Sequence, residues 1–245
     1  MPLSFLKNLH PKNTSPLPFA FELVRSTRRR SISIEISKAQ VVVRAPQFVA
    51  RHEIEKFIHE KSAWVQQKLQ QQELQLSAAP IYSFTPDSTL PYLGEPLTLV
   101  VHKQSKADVV RYGDKLLVIL SSRARVGETT QIRRLVCGWY QQQAFTLLQH
   151  KTDLAVAKLG VRHLGITLKA TRSKWGHCTA RGAIQYNWQI MLAPEAVVDY
   201  LVAHEVSHLL HHNHSPAFWA VVEQLCPDYK KHRAWLKAHG AQLMF

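Results

Sequence analysis

Apolar side chains surround almost the whole circumference of a helix predicted from about Pro194 to His212. A helix of this kind lies inside a protein rather than on its surface. It nevertheless carries His204, Glu205 and His208 within its apolar run. Because burying an unpaired polar or charged group costs free energy, the chain must fold so that these three side chains find partners.

The spacing of the two histidines indicates what that partner is. Residues four apart lie on the same face of a helix, one turn from each other. His204 and His208 can therefore converge on one ion, and zinc binds imidazole nitrogens at about 2.0–2.1 Å. Glu205 lies beside that face, within reach of a metal-activated water. This is the HExxH pattern of zinc hydrolases, in which the glutamate acts as the general base.

A third histidine follows the helix at a predicted corner. Asn213 tolerates the left-handed conformation that ends a helix, and Ser215-Pro216 has the sequence of an N-cap followed by the first position of a new helix. His214 therefore lies in a helix–turn–helix corner, which brings it back towards the first two rings. Three histidines with a fourth, open position form a catalytic zinc site, with one Zn²⁺ per chain.

Glu223 is the alternative third ligand. It lies in the helix after the corner, where it can instead pair with Lys230 or Arg233. We rank it behind His214. His211 and His212 are expected to form a solvated helix end, where positive charge favours the helix dipole.

The N-terminal part of the chain is predicted to be rich in strands. Residues 1–18 form a loose lead-in, and alternating residues predict a hairpin over 28–46 that turns near residues 38–39. A helix is expected over 51–72, followed by the strands LTLVV and KLLVIL. We therefore expect a β-rich region with one helix over residues 19–128.

The second part, residues 129–245, is expected to form the metallohydrolase core. It begins with a long helix from about Thr129 that stops at Gly160. GITLKATRS and GAIQYNWQIMLA follow as strands, and the second is expected to be an edge strand beside the cleft. An exposed edge can pair with an extended peptide.

Composition narrows the class of protein further. The formal charge is +14, which attracts anionic partners such as nucleotides or nucleic acids. The three cysteines are far apart and form no CxxC pair, so a disulfide framework is not expected. Neither a signal peptide nor a membrane-spanning run is recognisable, and we therefore expect a cytoplasmic protein that does not enter the membrane.

Two motifs occur in order along the second half of the chain: RSKWGHC in residues 172–178 and HEVSHLLHHNHSPAFW in residues 204–219. With IQYNW between them and PDYKKHRAWLKAHG after them, they resemble the YgjP-like family of predicted zinc metallopeptidases. That family is related to the WLM and SprT-like zincins. The resemblance extends from about residue 19 to residue 240, as one family domain.

The resemblance implies a gluzincin-like zincin core with a small sheet, an HExxH active-site helix, and His204, His208 and His214 as metal ligands. The family usually has serine where this chain has His177, and a glycine in the first hairpin turn that is absent here. Neither departure involves the ligands.

Other residues of the motif region are candidate substrate contacts. Arg172 or Lys174 is expected to hold an anionic group or a developing oxyanion, unless Arg172 pairs with an acidic residue. Asn187 is expected to orient substrate. Trp175 and Cys178 are expected to pack in the interior.

These observations favour a zinc-dependent hydrolase, a metallopeptidase that acts on peptide or protein substrates with a metal-activated water and Glu205 as general base. The first alternative is a metal-dependent nucleotide (nucleoside triphosphate) phosphohydrolase, which the basic charge favours, although the sequence has neither a P-loop nor an Asp-rich two-metal cluster. The second is a nucleic-acid-associated module with a structural metal, but structural zinc normally has four protein ligands.

Overall fold

The computed structural model describes residues 17–37, 40–77, 82–171 and 173–245. These residues contain ten β-strands and six α-helices in an α+β arrangement, as the sequence predicted. By its internal contacts the chain divides into two compact units, Met1–Ala78 and Ala79–Phe245. Residues 1–16 of the predicted lead-in lie outside the described residues, and the division predicted near residue 128 stays a prediction.

The first unit contains a small sheet and two helices. Its elements are β1 (Phe21–Ser26), β2 (Ser33–Ser37), β3 (Gln40–Pro46), α1 (Arg51–Glu60) and α2 (Ser62–Ser77). The strands β2 and β3 pair antiparallel, which confirms the predicted hairpin, while its turn at residues 38–39 lies outside the described part. Ile54 and Ile58 of α1 pack with Val43 and Ala45 of β3 in a core of their own.

Two features of this unit were not predicted. Strand β1 pairs parallel with β3, but its residues show no alternation of buried and exposed side chains, so the sequence carried no strand signal. The single helix expected over 51–72 is divided at Lys61, which ends α1 with φ −97° and ψ 2°.

A four-stranded sheet opens the second unit. Its strands are β4 (Thr89–Tyr92), β5 (Glu95–Gln104), β6 (Asp108–Tyr112) and β7 (Lys115–Ser121), in the order β4-β5-β7-β6. The predicted strands LTLVV and KLLVIL belong to β5 and β7, which pair parallel. Leu116, Val118 and Leu120 of β7 alternate with less buried residues, so that one face of the strand enters the core.

The long helix α3 (Glu128–Leu159) confirms the predicted helix. Every fourth residue from Ile132 to Thr152 is buried, and this stripe forms the helix face that enters the core. Gly160 follows in the left-handed conformation with φ 65°, which a glycine adopts without steric cost.

A second sheet of three strands lies in the same unit. It consists of β8 (Ile166–Lys169), β9 (Gly176–Cys178) and β10 (Ile184–Asn187), in the order β8-β10-β9. The long strand predicted over GAIQYNWQIMLA was wrong in its second half, where residues Trp188–Leu192 form a 3-10 helix. Asn187 caps this turn by accepting a hydrogen bond from the Gln189 amide at 3.1 Å.

The predicted edge position of this strand was also wrong. β10 is the central strand, parallel to β8 and antiparallel to β9. The alternation of apolar residues shows which side chains share a face of the strand and carries no information on which strands pair with it, so it could not indicate the position of β10 in the sheet.

Three helices complete the unit: α4 (Glu195–Ser207), α5 (Pro216–Leu225) and α6 (Tyr229–His239). α4 contacts α3, α5 and α6, which explains the apolar residues around its circumference. It ends at Ser207 rather than at the predicted His212, because the amides of Leu209 and Leu210 bond to carbonyls only three residues earlier. None of the helices in the described ranges has the length and apolarity that crossing a membrane requires.

Candidate active site

The end of α4 places three of the predicted residues together. His204 and Glu205 lie in its last turn, and His208 is the C-cap residue with helical backbone angles (φ −66°, ψ −16°). His208 therefore remains one turn from His204 on the same face, although the regular helix has ended. The centroids of these two imidazole rings are 5.1 Å apart.

The chain then folds back so that His214 joins the two rings. A hydrogen-bonded turn over residues 209–211 leads out of α4. The Ser215 hydroxyl accepts a hydrogen bond from the Phe218 amide at 3.4 Å, which confirms the predicted N-cap of α5. The left-handed conformation expected at Asn213 was wrong, because Asn213 is not among the described residues with positive φ.

The three histidines form one compact group. One nitrogen from each of His204, His208 and His214 lies within 4.8 Å of the others. The Nε2 atoms of His204 and His214 are 3.2 Å apart. Two nitrogens bound to one tetrahedral zinc ion at about 2.0–2.1 Å would be separated by about 3.4 Å. The observed spacing therefore fits a shared ion of this size.

The hydrogen bonds of the rings favour the same interpretation. His208 Nδ1 lies 3.0 Å from the carbonyl oxygen of His211. Because a carbonyl only accepts, this nitrogen must carry the proton, which leaves the lone pair of His208 Nε2 free for a metal. His204 Nδ1 is buried and has no hydrogen-bond partner among the described residues.

Burial keeps the two helix histidines neutral. Burial, and then the neighbouring His208, His214 and Arg233, lower the pKa of His204 to about 3. Burial also lowers the pKa of His208. Since a metal binds the neutral imidazole, both rings are in the ligand form at neutral pH.

Phe218 of α5 forms the apolar wall behind the histidines. Its ring is fully buried and its centroid lies 5.0, 4.6 and 4.8 Å from those of His204, His208 and His214. The ring therefore limits the movement of all three imidazoles and excludes water from one side of the group. Sequence reasoning assigned it no role, although it lies in the first turn of the helix that the Ser-Pro cap begins.

Glu205 is the buried carboxyl next to this group. Its exposed fraction is only 3%. Burial raises its pKa to about 8, although the positive charge of Lys174 acts in the opposite direction. A carboxyl group with this environment readily takes up a proton near neutral pH, as a general base must.

Gly176 of β9 makes room for that carboxyl. A β-carbon built on Gly176 would lie only 2.5 Å from the carboxyl carbon of Glu205. The position therefore requires glycine, a role that sequence reasoning did not assign within RSKWGHC. Glycine inside a strand often marks the close approach of another group, but the sequence analysis predicted no strand at this position.

A cavity of about 430 Å³ opens over the histidines and Glu205. One wall is α4 with its following turn, and the other is β9. The lining residues are Gly176, His177, Cys178, Ala180, His204, Glu205, His208, His212 and His214. Burial, and then the nearby Glu205, raise the pKa of Cys178 to about 11, so the thiol in this cavity is protonated.

The remaining candidates lie apart from the histidine group. Glu223 is exposed, and its carboxylate is 3.9 Å from Lys230 Nζ. Asn187 is 1% exposed, and its amide nitrogen donates to the Thr171 carbonyl at 2.8 Å. Its predicted contact with substrate stays a prediction. Arg172 lies outside the described residues.

Three convergent histidines beside a buried carboxyl are typical of metal-dependent hydrolases. Residues 30–239 match the family model described as YgjP-like, metallopeptidase domain, and the chain therefore belongs to the YgjP-like metallopeptidase family. At the level of that family it is a metal-dependent peptidase.

Other comparisons add little to this assignment. No curated protein gives a significant match. Among solved structures, the metallopeptidase zymogen abylysin of Pyrococcus abyssi is similar to part of the chain, with 20% identity and a TM-score of 0.34. The similarity covers 37% of this chain and 92% of that one.

Proposed function

We propose that the protein is a zinc-dependent metallopeptidase whose metal is held by His204, His208 and His214. The observation that carries this proposal is the convergence of three histidine nitrogens within 4.8 Å of one another beside the buried Glu205. Three protein ligands leave a coordination position open, as catalytic zinc sites require.

Glu205 performs the proton transfers in this proposal. A bound zinc ion supplies the Lewis acidity that polarises a carbonyl group and lowers the pKa of water to about 7. The Glu205 carboxylate takes a proton from the attacking water and then delivers it to the leaving amine. Its burial against Gly176 holds the carboxyl group in one place for both steps.

Strand β9 supports an extended peptide as the substrate. Within the described residues it pairs only with β10, so its other edge is free. Three of its residues, Gly176, His177 and Cys178, line the cavity. A free strand edge can pair with the main chain of an extended peptide, the role that the sequence predicts for β10.

Substitution of Glu205→Gln tests the proposal. This variant should keep its zinc and lose roughly two to four orders of magnitude in peptide hydrolysis. Glu223→Gln is the matched control, because it makes the same chemical change at an exposed carboxyl and should leave the rate unchanged. Metal content and hydrolysis of a pooled peptide library are the measurements.

The same assay should include nucleoside triphosphates and DNA, because the two alternatives depend on the net charge of +14 and on no feature of the site. Hydrolysis of a nucleoside triphosphate that Glu205→Gln abolishes, with no peptide cut, would reject the peptidase proposal in favour of a phosphohydrolase. Binding of nucleic acid by charge alone should weaken steeply between about 50 and 200 mM salt.

A further inference from the structure

A second cavity lies next to the histidine cavity and is lined by basic and aromatic residues. It has a volume of about 360 Å³, and Trp175, Tyr200, Arg233, Leu236, Lys237, Gly240 and Ala241 line it. We call it the basic pocket. None of the functions considered above uses these residues.

Two residues that line the basic pocket adjoin residues of the histidine site. Tyr200 lies one turn before His204 on α4, and the centroids of the two rings are 5.9 Å apart. Trp175 directly precedes Gly176, which lies against Glu205. An extended substrate in the histidine cavity therefore needs to continue by only a few residues to reach the basic pocket.

Two positive charges of this pocket lie on one face of a helix. Arg233 and Lys237 are four residues apart on α6, where like charges repel each other. Neither takes part in any of the ion pairs found in residues 17–37, 40–77, 82–171 and 173–245. This arrangement favours the binding of an anion between or beside them.

The guanidinium group of Arg233 is held in position. Its carbon lies 4.5 Å from the centroid of the Trp219 ring, and Trp219 stacks on Tyr229 at 5.3 Å. A planar guanidinium that is already oriented loses less entropy when it forms the paired hydrogen bonds that a carboxylate accepts.

The distance between Arg233 and the histidine site limits how far the bound carboxylate can lie from the cleaved bond of a substrate. The Trp219 ring, over which the Arg233 guanidinium lies, also stacks on His214, and the centroids of these two rings are 5.7 Å apart. Arg233 is therefore within about 10 Å of the His214 ring, a distance that three extended residues span at about 3.4 Å each.

We propose that Arg233 and Lys237 form a carboxylate-binding subsite that selects peptides with an acidic residue within three positions of the cleaved bond. The subsite rests on the proposed peptidase function. A side-chain carboxylate and a C-terminal carboxylate share this chemistry, and the side chain is the source that suits cleavage inside a longer chain.

The test compares three full-length, zinc-loaded proteins on a pooled library of peptides with blocked ends. The wild type should cut peptides with Asp or Glu at one position near the bond about tenfold faster than their Asn or Gln counterparts. Arg233→Glu should reverse the preference towards Lys or Arg. Lys231→Glu, which makes the same charge change on α6 outside the pocket, should keep the acidic preference.

A further variant and a second peptide library extend this test. Arg233→Lys should retain part of the acidic preference, which separates lost charge from lost folding, and zinc content checks that each variant is intact. A library with free C-termini distinguishes the two carboxylate sources, because cleavage restricted to the last three residues would overturn the side-chain assignment.

If the wild type cuts no peptide, the peptidase proposal fails, and binding tests the subsite separately. Zinc-loaded Glu205→Gln should then bind a blocked acidic peptide about tenfold more tightly than its Gln counterpart, and Arg233→Glu should remove the difference. Equal binding of the two peptides would overturn the subsite. Tighter binding of a nucleoside triphosphate, also lost in Arg233→Glu, would overturn its assignment to peptides.

Discussion

Helix α4 carries two polar clusters, and they differ in whether the protein itself supplies their partners. In the first, Lys151 Nζ lies 2.8 Å from the Glu195 carboxylate and 2.5 Å from the Asp199 carboxylate. Both carboxylates are about half exposed. In the second, Glu205 is buried and His204 is half-buried, and His204 Nδ1 has no hydrogen-bond partner in the described chain.

Cavity size does not distinguish the two clusters. Each borders a cavity of about 430 Å³, and the one beside Lys151 and Asp199 is as large as the one over the histidines. The difference lies in burial, because the Glu205 side chain is 3% exposed whereas the carboxylates that pair with Lys151 are about half exposed, and burying an ionisable group costs stability. Such groups are typical of functional sites, whereas the ion pairs at Lys151 are explained by stability alone.

The largest expected effect distinguishes His214 from Glu223 as the third metal ligand. His214→Ala should weaken zinc binding by at least about 100-fold, because two histidines leave the site incomplete. Glu223→Ala should leave the affinity within a factor of about two, since its exposed carboxylate faces Lys230. Zinc titration against a competing chelator measures both, and the reverse ranking would make this a glutamate-type site.

The next effect concerns Gly176. Gly176→Ala should lower the hydrolysis rate about 100-fold with zinc retained, because its β-carbon would displace the Glu205 carboxyl group from its position. Gly138→Ala is the matched control, since nothing lies within 4 Å of a β-carbon at that position in α3. The control should keep the full rate and be slightly more stable, because alanine favours a helix. An active Gly176→Ala enzyme would contradict this account.

The stability of the metal-free protein should depend on pH through Glu205. Its pKa is raised to about 8 in the folded protein from an ordinary value near 4.5, so the folded state holds the proton more tightly. Protonated Glu205 makes its full contribution to the unfolding free energy below pH 4.5, and this contribution is lost as the pH rises towards 8.

Above pH 6.5 the depressed pKa of His204 no longer contributes, because that group costs stability only when the pH falls below its ordinary value. Between pH 6.5 and 8 the metal-free protein should therefore lose up to about 2 kcal/mol of unfolding free energy. Calorimetry on the wild type and on Glu205→Gln checks this, and an equal slope in the variant would assign the effect to another group.

The smallest effect is expected at the paired cluster. Lys151→Met should lower the unfolding free energy by about 1 kcal/mol, which is about 2–4 °C in Tm, because its partners remain partly hydrated. Zinc affinity and hydrolysis should not change. A change in zinc affinity would show that the two clusters of α4 are coupled, which their contacts do not indicate.

The sequence predicted the parts of the fold that repeat along the chain. The stripe of buried residues in α3 and the alternation in β7 follow from the periods of a helix and a strand, and both elements were predicted. The pattern failed where local hydrogen bonds changed the backbone: Asn187 turns the predicted strand into a 3-10 helix, and the turn after Ser207 ends α4 early.

By itself the sequence determined which side chains α4 presents together, because a helix fixes the separation of residues such as His204 and His208. Only the tertiary structure decided what meets them across the cavity. Gly176 against Glu205, Phe218 behind the three imidazoles, and Arg233 on the ring of Trp219 are contacts between separate elements. Their distances depend on how the elements pack, and no spacing along the chain encodes that packing.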